Sequence, residues 1–285
     1  MKLAAIVTIY YPDVLVTVRN IQRYIEDVDM LILWDNTPVK DRDRHVLCLD
    51  EYSNKIVYLG TGYNEGIAYA LNRSFEWAIR NGYEYVLTMD QDSYWNDFSA
   101  YKQRVVECHE SDVAIFAPII KSCDRILRCN SEKFVITSGS IYRLSIFKRL
   151  GLFREDFFID EVDNEYCIRC KKEKYRIKVM DECYLLQVFG VPEKYSFWGR
   201  YTANYSPMRT FYQIRNRMWV WREYSNFLSY RYLLRTLLFQ ILRRSVIILV
   251  YEKDKKKKMK AITKAVFHGC CLQKGCVQYY TELNE

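Results

Sequence analysis

Two short acidic segments hold the residue types that could do chemistry. In the first, Asp90-Gln91-Asp92-Ser93 follows the apolar run Tyr85-Val-Leu-Thr-Met89. A run of that length reads as a buried strand, and residues i and i+2 of an extended chain point to one side, so Asp90 and Asp92 present two hard carboxylates together. That pair suits Mg²⁺ or Mn²⁺, cations that share phosphate oxygens, and through them a diphosphate. The spacing alone decides little, because roughly one Asp-x-Asp is expected by chance in a chain with this Asp frequency. Asp27-Val-Asp29 and Asp41-Arg-Asp43 repeat it beside polar or charged segments, where solvated loop carboxylates are expected.

The second segment, Asp160-Glu161-Val-Asp163-Asn-Glu165, puts four carboxylates into six positions. On a helical wheel Ile159, Val162, Tyr166 and Cys170 form an apolar stripe; Asp163 falls inside it, while Glu161, Asn164 and Glu165 fall outside. An Asp on a buried side is costly without a partner or a task, and desolvation beside other acids raises its pKa, which suits a general base. The plainer alternative is an Asp that caps this helix or pairs with Arg169.

These segments need a frame to hold them. From Leu3 to Leu87, short apolar runs alternate with helical periods: strands at Leu3–Ile9, Met30–Trp34, Lys55–Leu59 and Tyr85–Met89, helices near Val14–Ile25 and Ile67–Ile79, and a later strand at Val113–Pro118. Strands that lack in-and-out alternation are buried on both faces, which indicates an α/β fold with a mostly parallel central sheet flanked by helices. Ligands in such sheets bind beyond the carboxyl ends of the strands, here Thr8–Pro12, Asp35-Asn36, Gly60–Gly66 and Asp90–Ser93. None of these contains a P-loop or a G-x-G-x-x-G fingerprint. Asp35 could accept hydrogen bonds from a base or ribose, or simply start a turn. Asn64-Glu-Gly66 could cap the next helix or offer its N–H groups to a ligand. Ser138-Gly139-Ser140, after an expected strand at Lys133–Thr137, has a glycine that permits close backbone approach to a ligand, or is an ordinary turn.

At 285 residues the chain can bury a large core without cross-links. Its 10 cysteines are scattered and no secretory signal precedes them, so they read as reduced thiols of a cytoplasmic protein; Cys270-Cys271 with Cys276 is the nearest approach to a metal cluster. The net charge of +8 is concentrated after Arg200 and culminates in Lys253-Asp-Lys-Lys-Lys-Lys-Met-Lys260. Ahead of that tract, Leu233–Tyr251 is apolar at helical spacing but is interrupted by Arg235, Arg243 and Arg244, too charged to span a bilayer. It reads as an interfacial helix suited to the anionic inner face of a plasma membrane, or as a core helix followed by a solvated lysine loop. The aromatic-rich helices after Trp198 could also pair subunits.

In order, Ile6-Val-Thr-Ile-Tyr-Tyr-Pro12, Leu33-Trp-Asp-Asn36, Asn64-Glu-Gly-Ile-Ala-Tyr-Ala-Leu-Asn72, Leu87-Thr-Met-Asp-Gln-Asp-Ser93, Thr137-Ser-Gly-Ser140 and Phe158-Ile-Asp-Glu-Val-Asp-Asn-Glu165 resemble the inverting family 2 glycosyltransferases of GT-A fold, nearest to bacterial rhamnosyltransferases of O-antigen and cell-wall polysaccharide assembly. The resemblance covers about residues 3–217. It implies a catalytic domain at 1–204 and a basic helical extension at 205–285. It also implies donor binding by Thr8, Tyr10, Asp35, Asn64, Gly66, Asp90, Gln91 and Asp92, with Mg²⁺ or Mn²⁺ on Asp90 and Asp92. The base falls on Asp163, with Asp160 second, and acceptor or sugar contacts fall on Ser138, Gly139, Ser140, Glu165, Arg209 and Arg215. The implied partners are a nucleotide sugar and a saccharide or lipid-linked acceptor. Two positions depart from the family. Gln187 stands where a histidine is usual, and Tyr205 replaces the histidine that leads the Ser206-Pro-Met-Arg209 to Arg215-Asn216 run. Arg209 and Arg215 could hold donor phosphates or an anionic acceptor, or be surface arginines. The rivals are a non-catalytic basic protein docking on membrane or nucleic acid, and a metal-dependent nucleotidyltransferase. No nucleic-acid module signature supports the former, so no nucleic-acid partner is expected.

Overall fold

The computed structural model describes residues 1–42, 47–122, 125–127, 134–187, 193–195, 200–202, 204–235, 239 and 241–271. The chain forms two compact units, one of Met1–Phe153 with Tyr166–Val188, the other of Arg154–Glu165 with Phe189–Glu285.

In the first unit the order is β1 (Leu3–Ile9), α1 (Val14–Gln22), β2 (Met30–Asp35), α2 (Val39–Arg42), β3 (Ile56–Leu59), α3 (Gly66–Arg80), β4 (Tyr85–Asp90), β5 (Ser93–Trp95), α4 (Phe98–Glu107), β6 (Val113–Ser122), β7 (Arg125–Leu127), β8 (Ile141–Arg143), α5 (Leu144–Leu150), and, after α6 (Val162–Lys172), β9 (Arg176–Gln187). The sheet runs β3-β2-β1-β4-β8-β6-β9-β5, with β7 on β6. Strands β1 to β4 are parallel, as expected. β8 enters antiparallel between β4 and β6, a reversal that no apolar period announces.

Every residue from Leu3 to Val7 is fully buried. Alternate residues of β1 face opposite sides: Leu3, Ala5, Val7 and Ile9 join a cluster with Ile21 of α1 and Phe98 and Tyr101 of α4. On α3, α5 and α6 the aromatic rings of Phe75, Phe147 and Tyr166 pack with Tyr142 and Phe153. Asp13 and Asp97 cap α1 and α4 by accepting the N–H groups of Val16 and Ala100. Where a strand was expected at Lys133–Thr137, residues 134–137 form none, and Lys133 lies outside the described residues. The short-range apolar run is there, but Val135 is buried as an irregular segment leading into β8.

The second unit holds the acidic segment, a ribbon of β10 (Glu193–Tyr195) and β11 (Arg200–Thr202), and helices α7 (Pro207–Glu223), α8 (Tyr230–Arg235), α9 (Arg243–Tyr251) and α10 (Lys255–Cys270). α7 starts on Ser206, whose Oγ accepts the Arg209 N–H, with Pro207 in the first turn. Its core joins Phe211, Tyr212, Ile214 and Met218 of α7 to Ile248 of α9 and Ala261, Ile262 and Ala265 of α10. The lysine tract is a correction to the solvated loop: Lys255–Lys260 begins α10, and Lys258 is buried, reaching Glu252 at 2.8 Å and Asn204. Arg244 closes on the same Glu252 carboxylate at 2.6 Å. A buried cation is tolerable only with such partners. Among the described residues no helix is long and apolar enough to cross a membrane.

Candidate active site

The exits of β1, β2 and β4 lie side by side, because the register pairs Thr8 with both Trp34 and Asp90, and Ile9 with Asp35. Tyr10 and Tyr11 follow β1 as an exposed edge-to-face pair, rings 4.7 Å apart. Gln91 folds its amide onto the Tyr10 backbone, accepting from the N–H at 2.8 Å and donating to the carbonyl at 3.2 Å, while its own carbonyl accepts from Asn20. Gln91 therefore ties the β1 exit to the β4 exit.

At the β2 exit Asp35 starts a turn, its Oδ1 accepting the Thr37 N–H at 2.7 Å and its Oδ2 lying 3.1 Å from Arg42. Asn36, buried, accepts from the Trp34 indole at 3.0 Å and donates to the Gly66 carbonyl at 3.2 Å, fixing β2 to the start of α3. Asn64 caps locally, its Oδ1 accepting the Gly66 N–H at 3.0 Å. Gly60 is required here: a Cβ would stand 2.6 Å from the Asp35 carbonyl oxygen.

Asp90 ends β4 with its N–H on the Ser138 hydroxyl at 3.2 Å, and its Oδ2 accepts from Gln187 Nε2 at 2.8 Å. Asp92 is exposed two residues on. Three buried polar atoms around this pair have no protein hydrogen-bond partner: Thr8 Oγ1 in register with Asp90, Ser93 Oγ, and Gln187 Oε1 on the strand paired with Ser93. Together they leave polar capacity at this edge that a bound ligand could meet. No group of three His, Cys, Asp or Glu side chains suited to a metal occurs among the described residues, so the oxygen set at this point is two carboxylates and the Gln187 amide. Cys276 of the cysteine-rich end lies outside the described residues.

The Ser138-Gly139-Ser140 segment runs against β4: Gly139 donates to Thr88 at 2.7 Å, and Thr88 donates to Ser140 at 2.9 Å. A Cβ on Gly139, at φ +77°, would meet Leu185 at 2.8 Å and Pro118 at 2.9 Å. Its small size serves the packing of this segment against Leu185 and Pro118. One member of each rival Asp-x-Asp pair binds the chain itself, Asp29 accepting the Leu3 N–H at 2.7 Å and Asp41 the Tyr11 hydroxyl at 2.7 Å, while Asp43 lies outside the described residues.

In the second unit the acidic segment is a strained turn leading into α6. Phe158, Asp160 and Glu161 all have φ near +60°, a region that costs a residue with a side chain about 1–3 kcal/mol. Three consecutive residues of α7 hold it. Arg215 donates to the Asp156 carbonyl; Asn216 Nδ2 lies 2.8–2.9 Å from the carbonyl oxygens of Phe157, Ile159 and Asp160; Arg217 pairs with Glu161. Asn216→Ala, which leaves those buried carbonyls without their donor, is expected to cost roughly 2–3 kcal/mol of stability in a denaturant titration.

The wheel placed these acids incorrectly, because residues 159–161 precede the helix and the turn is enclosed. Glu161 and Glu165, expected outside, are 4% and 1% exposed, and Glu165 accepts the Tyr224 hydroxyl at 2.5 Å. Asp160 is matched by Arg209 at 3.2 Å. Asp163 is partly buried, and its Oδ1 accepts the neighbouring Asn164 N–H at 2.8 Å. Burial first, then the charges of Glu161 and Asp160, push its carboxyl up to about 7. Burial also raises Asp160, but Arg209 opposes the shift. Arg215, 1% exposed, lies over Trp219 and Tyr212 at 4.2 and 4.6 Å, a core arginine rather than a surface one.

No protein-family profile matches the chain. Among solved structures, the mannosyltransferase PcManGT of Pyrobaculum calidifontis, in complex with GDP-Man and Mn²⁺, superposes with a TM-score of 0.60 at 12% identity, covering 96% of this chain and 76% of its own. TarS 1–349 of S. aureus in complex with UDP-GlcNAc gives 0.57 at 16% identity, covering 94% and 81%. The dTDP-rhamnosyl transferase RfbF of Shigella flexneri is 24% identical over 267 residues, 82% of this chain and 88% of that protein. The chain has the fold of these glycosyltransferases, the GT-A fold. The cradle at the strand exits was legible as motifs. Asn36, Asn216 and Arg217 were missed as positioning residues, although Asn36 and Asn216 stood in quoted motifs. Gln187→Leu, which removes the donor that orients Asp90, is expected to weaken Mn²⁺ binding roughly tenfold or more in a calorimetric titration.

Proposed function

We propose that this protein is a glycosyltransferase that moves L-rhamnose from dTDP-rhamnose to a hydroxyl of a saccharide or lipid-linked saccharide, with inversion, in surface polysaccharide assembly. The rhamnosyl reading is supported by the similarity to a dTDP-rhamnosyl transferase. The observation that carries the mechanism is the division among the acids: Asp160 and Glu161 are matched by arginines and Glu165 by a tyrosine hydroxyl, while Asp163 keeps a carboxyl raised to about 7. A single displacement needs one base, and Asp163 is the one poised to take the acceptor hydroxyl proton as that oxygen attacks the anomeric carbon. The matched Asp160 and Glu161 hold the turn that presents it.

Asp90 and Asp92, with the Gln187 amide beside them, are hard oxygen donors that fit Mg²⁺ or Mn²⁺. A cation held there would neutralise charge growing on the departing nucleoside diphosphate. Tyr10 offers an exposed ring to the base, and Thr8, Asp35, Asn64 and Gly66 line the strand exits around the nucleotide sugar. The test is a panel of nucleotide sugars with Mg²⁺ or Mn²⁺, read as donor-dependent thermal stabilisation and slow nucleoside diphosphate release. dTDP-rhamnose is expected to give the largest response. Pyrophosphate release from a nucleoside triphosphate would instead identify a nucleotidyltransferase.

A further inference from the structure

From Val246 to Tyr251 helix α9 is apolar all round, yet only one side of it is covered. Ile248 is fully buried and Ile241, two residues before the helix, packs on the same core of α7 and α10. The opposite side carries Leu242, at the helical N-cap, then Val246, Leu249 and Val250, which are 58%, 59%, 52% and 55% exposed. At about 100° per residue these four fall within roughly one third of the helix circumference. A helix apolar on all sides is normally enclosed, and exposed contiguous apolar surface marks an interaction site.

Charge identifies the occupant. Between Arg243 and Lys260 the chain has eight basic and two acidic residues. Glu252, one of the two acids, is buried and matched by Arg244 and Lys258. Lys253, Lys255, Lys256, Lys257 and Lys260, directly after the helix, are all exposed. A second copy docking through the same face would bring these like charges together, whereas a surface that is apolar within and negative at its boundary satisfies both features. We infer that the exposed face of α9, with the lysines that follow it, seats the second unit on an anionic lipid bilayer, with Leu242, Val246, Leu249 and Val250 entering the headgroup boundary. The helix lies in the plane of that boundary and does not cross it. The inference is independent of which sugar is transferred.

The test uses the full chain with sedimented vesicles of phosphatidylcholine alone or with about 30% phosphatidylglycerol. Binding is expected to the mixed vesicles, to weaken about tenfold as salt rises from 0.1 to 0.5 M, and to be near background on phosphatidylcholine alone. Val246→Glu with Leu249→Glu, at exposed positions that the fold does not need, should lower partitioning at least tenfold with an unchanged melting temperature. Replacing Lys255, Lys256 and Lys257 by Gln should lower it for anionic vesicles only. Equal binding by the glutamate variant, or no preference for anionic vesicles, would overturn the inference. So would a dimer in sedimentation analysis that the glutamate variant abolishes, since that result would assign the face to a second copy.

Discussion

Asp163→Asn is expected to reduce the turnover number for sugar transfer by roughly 10²–10⁴-fold, the usual contribution of a general base, while leaving the donor dissociation constant nearly unchanged. In the native protein the rate should fall about tenfold per pH unit below the carboxyl's value of about 7, because only the deprotonated group accepts the acceptor proton. Stability gives an independent readout with its own sign. The folded state holds a proton on Asp163 that the unfolded chain releases near the ordinary carboxylate range, so stability is highest below that range and declines as pH rises to about 7. An asparagine carries no charge to desolvate, so the variant should be more stable than the native protein at pH 8, by ~1–3 kcal/mol. A protein that is less active yet more stable separates lost chemistry from misfolding. Asp160→Asn should behave differently, because it leaves Arg209 without its carboxylate and loosens the turn. If Asp163→Asn kept most of its activity, the base would lie elsewhere.

The second large effect is expected at the end of β4. Asp90→Asn keeps a hydrogen-bond acceptor for Gln187 and nearly the same volume, but removes a hard anionic oxygen. Mn²⁺ binding and Mn²⁺-dependent nucleoside diphosphate binding should both be lost over the range where the native protein saturates, and kcat/KM should fall by roughly 10²–10³-fold. Asp92→Asn should act in the same direction. Asp29→Asn is the control: it repeats the local Asp-x-Asp pattern but accepts the Leu3 N–H at the base of β1, so it should affect stability and leave Mn²⁺ binding unchanged. Equal Mn²⁺ affinity in Asp90→Asn and the native protein would remove this pair from the metal site.

Much of the frame was legible because burial on two faces leaves a local record. Runs such as Leu3–Ile9 and Tyr85–Asp90 are short, apolar and unalternated wherever a parallel sheet is covered on both sides, and the polar stretches after them mark the ligand edge. Asp90-Gln91-Asp92 was visible for the same reason, since its meaning depends only on the strand it ends. The antiparallel insertion of β8 left no such record: the three residues Ile141–Arg143 take their place from pairing with β4 and β6, not from any period of their own.

By itself the sequence determined the α/β alternation, the positions of the strand exits, the paired carboxylates at Asp90 and Asp92, and the acidic segment at 160–165. The tertiary structure alone decided which of those acids is unmatched. Asp160 finds Arg209 across 49 residues and Glu161 finds Arg217 across 56, and both partners come from one helix whose spacing mirrors no feature of the acidic segment. It also decided that Gln91 binds the chain itself, that Gly139 is small for the sake of Leu185 and Pro118, and that Lys258 is buried in a tract of exposed lysines. The physical reason is common to all of these. Periodicity reports how much apolar surface a segment must hide, a local quantity, whereas the state of a charge or an amide depends on the particular partner brought to it from far along the chain.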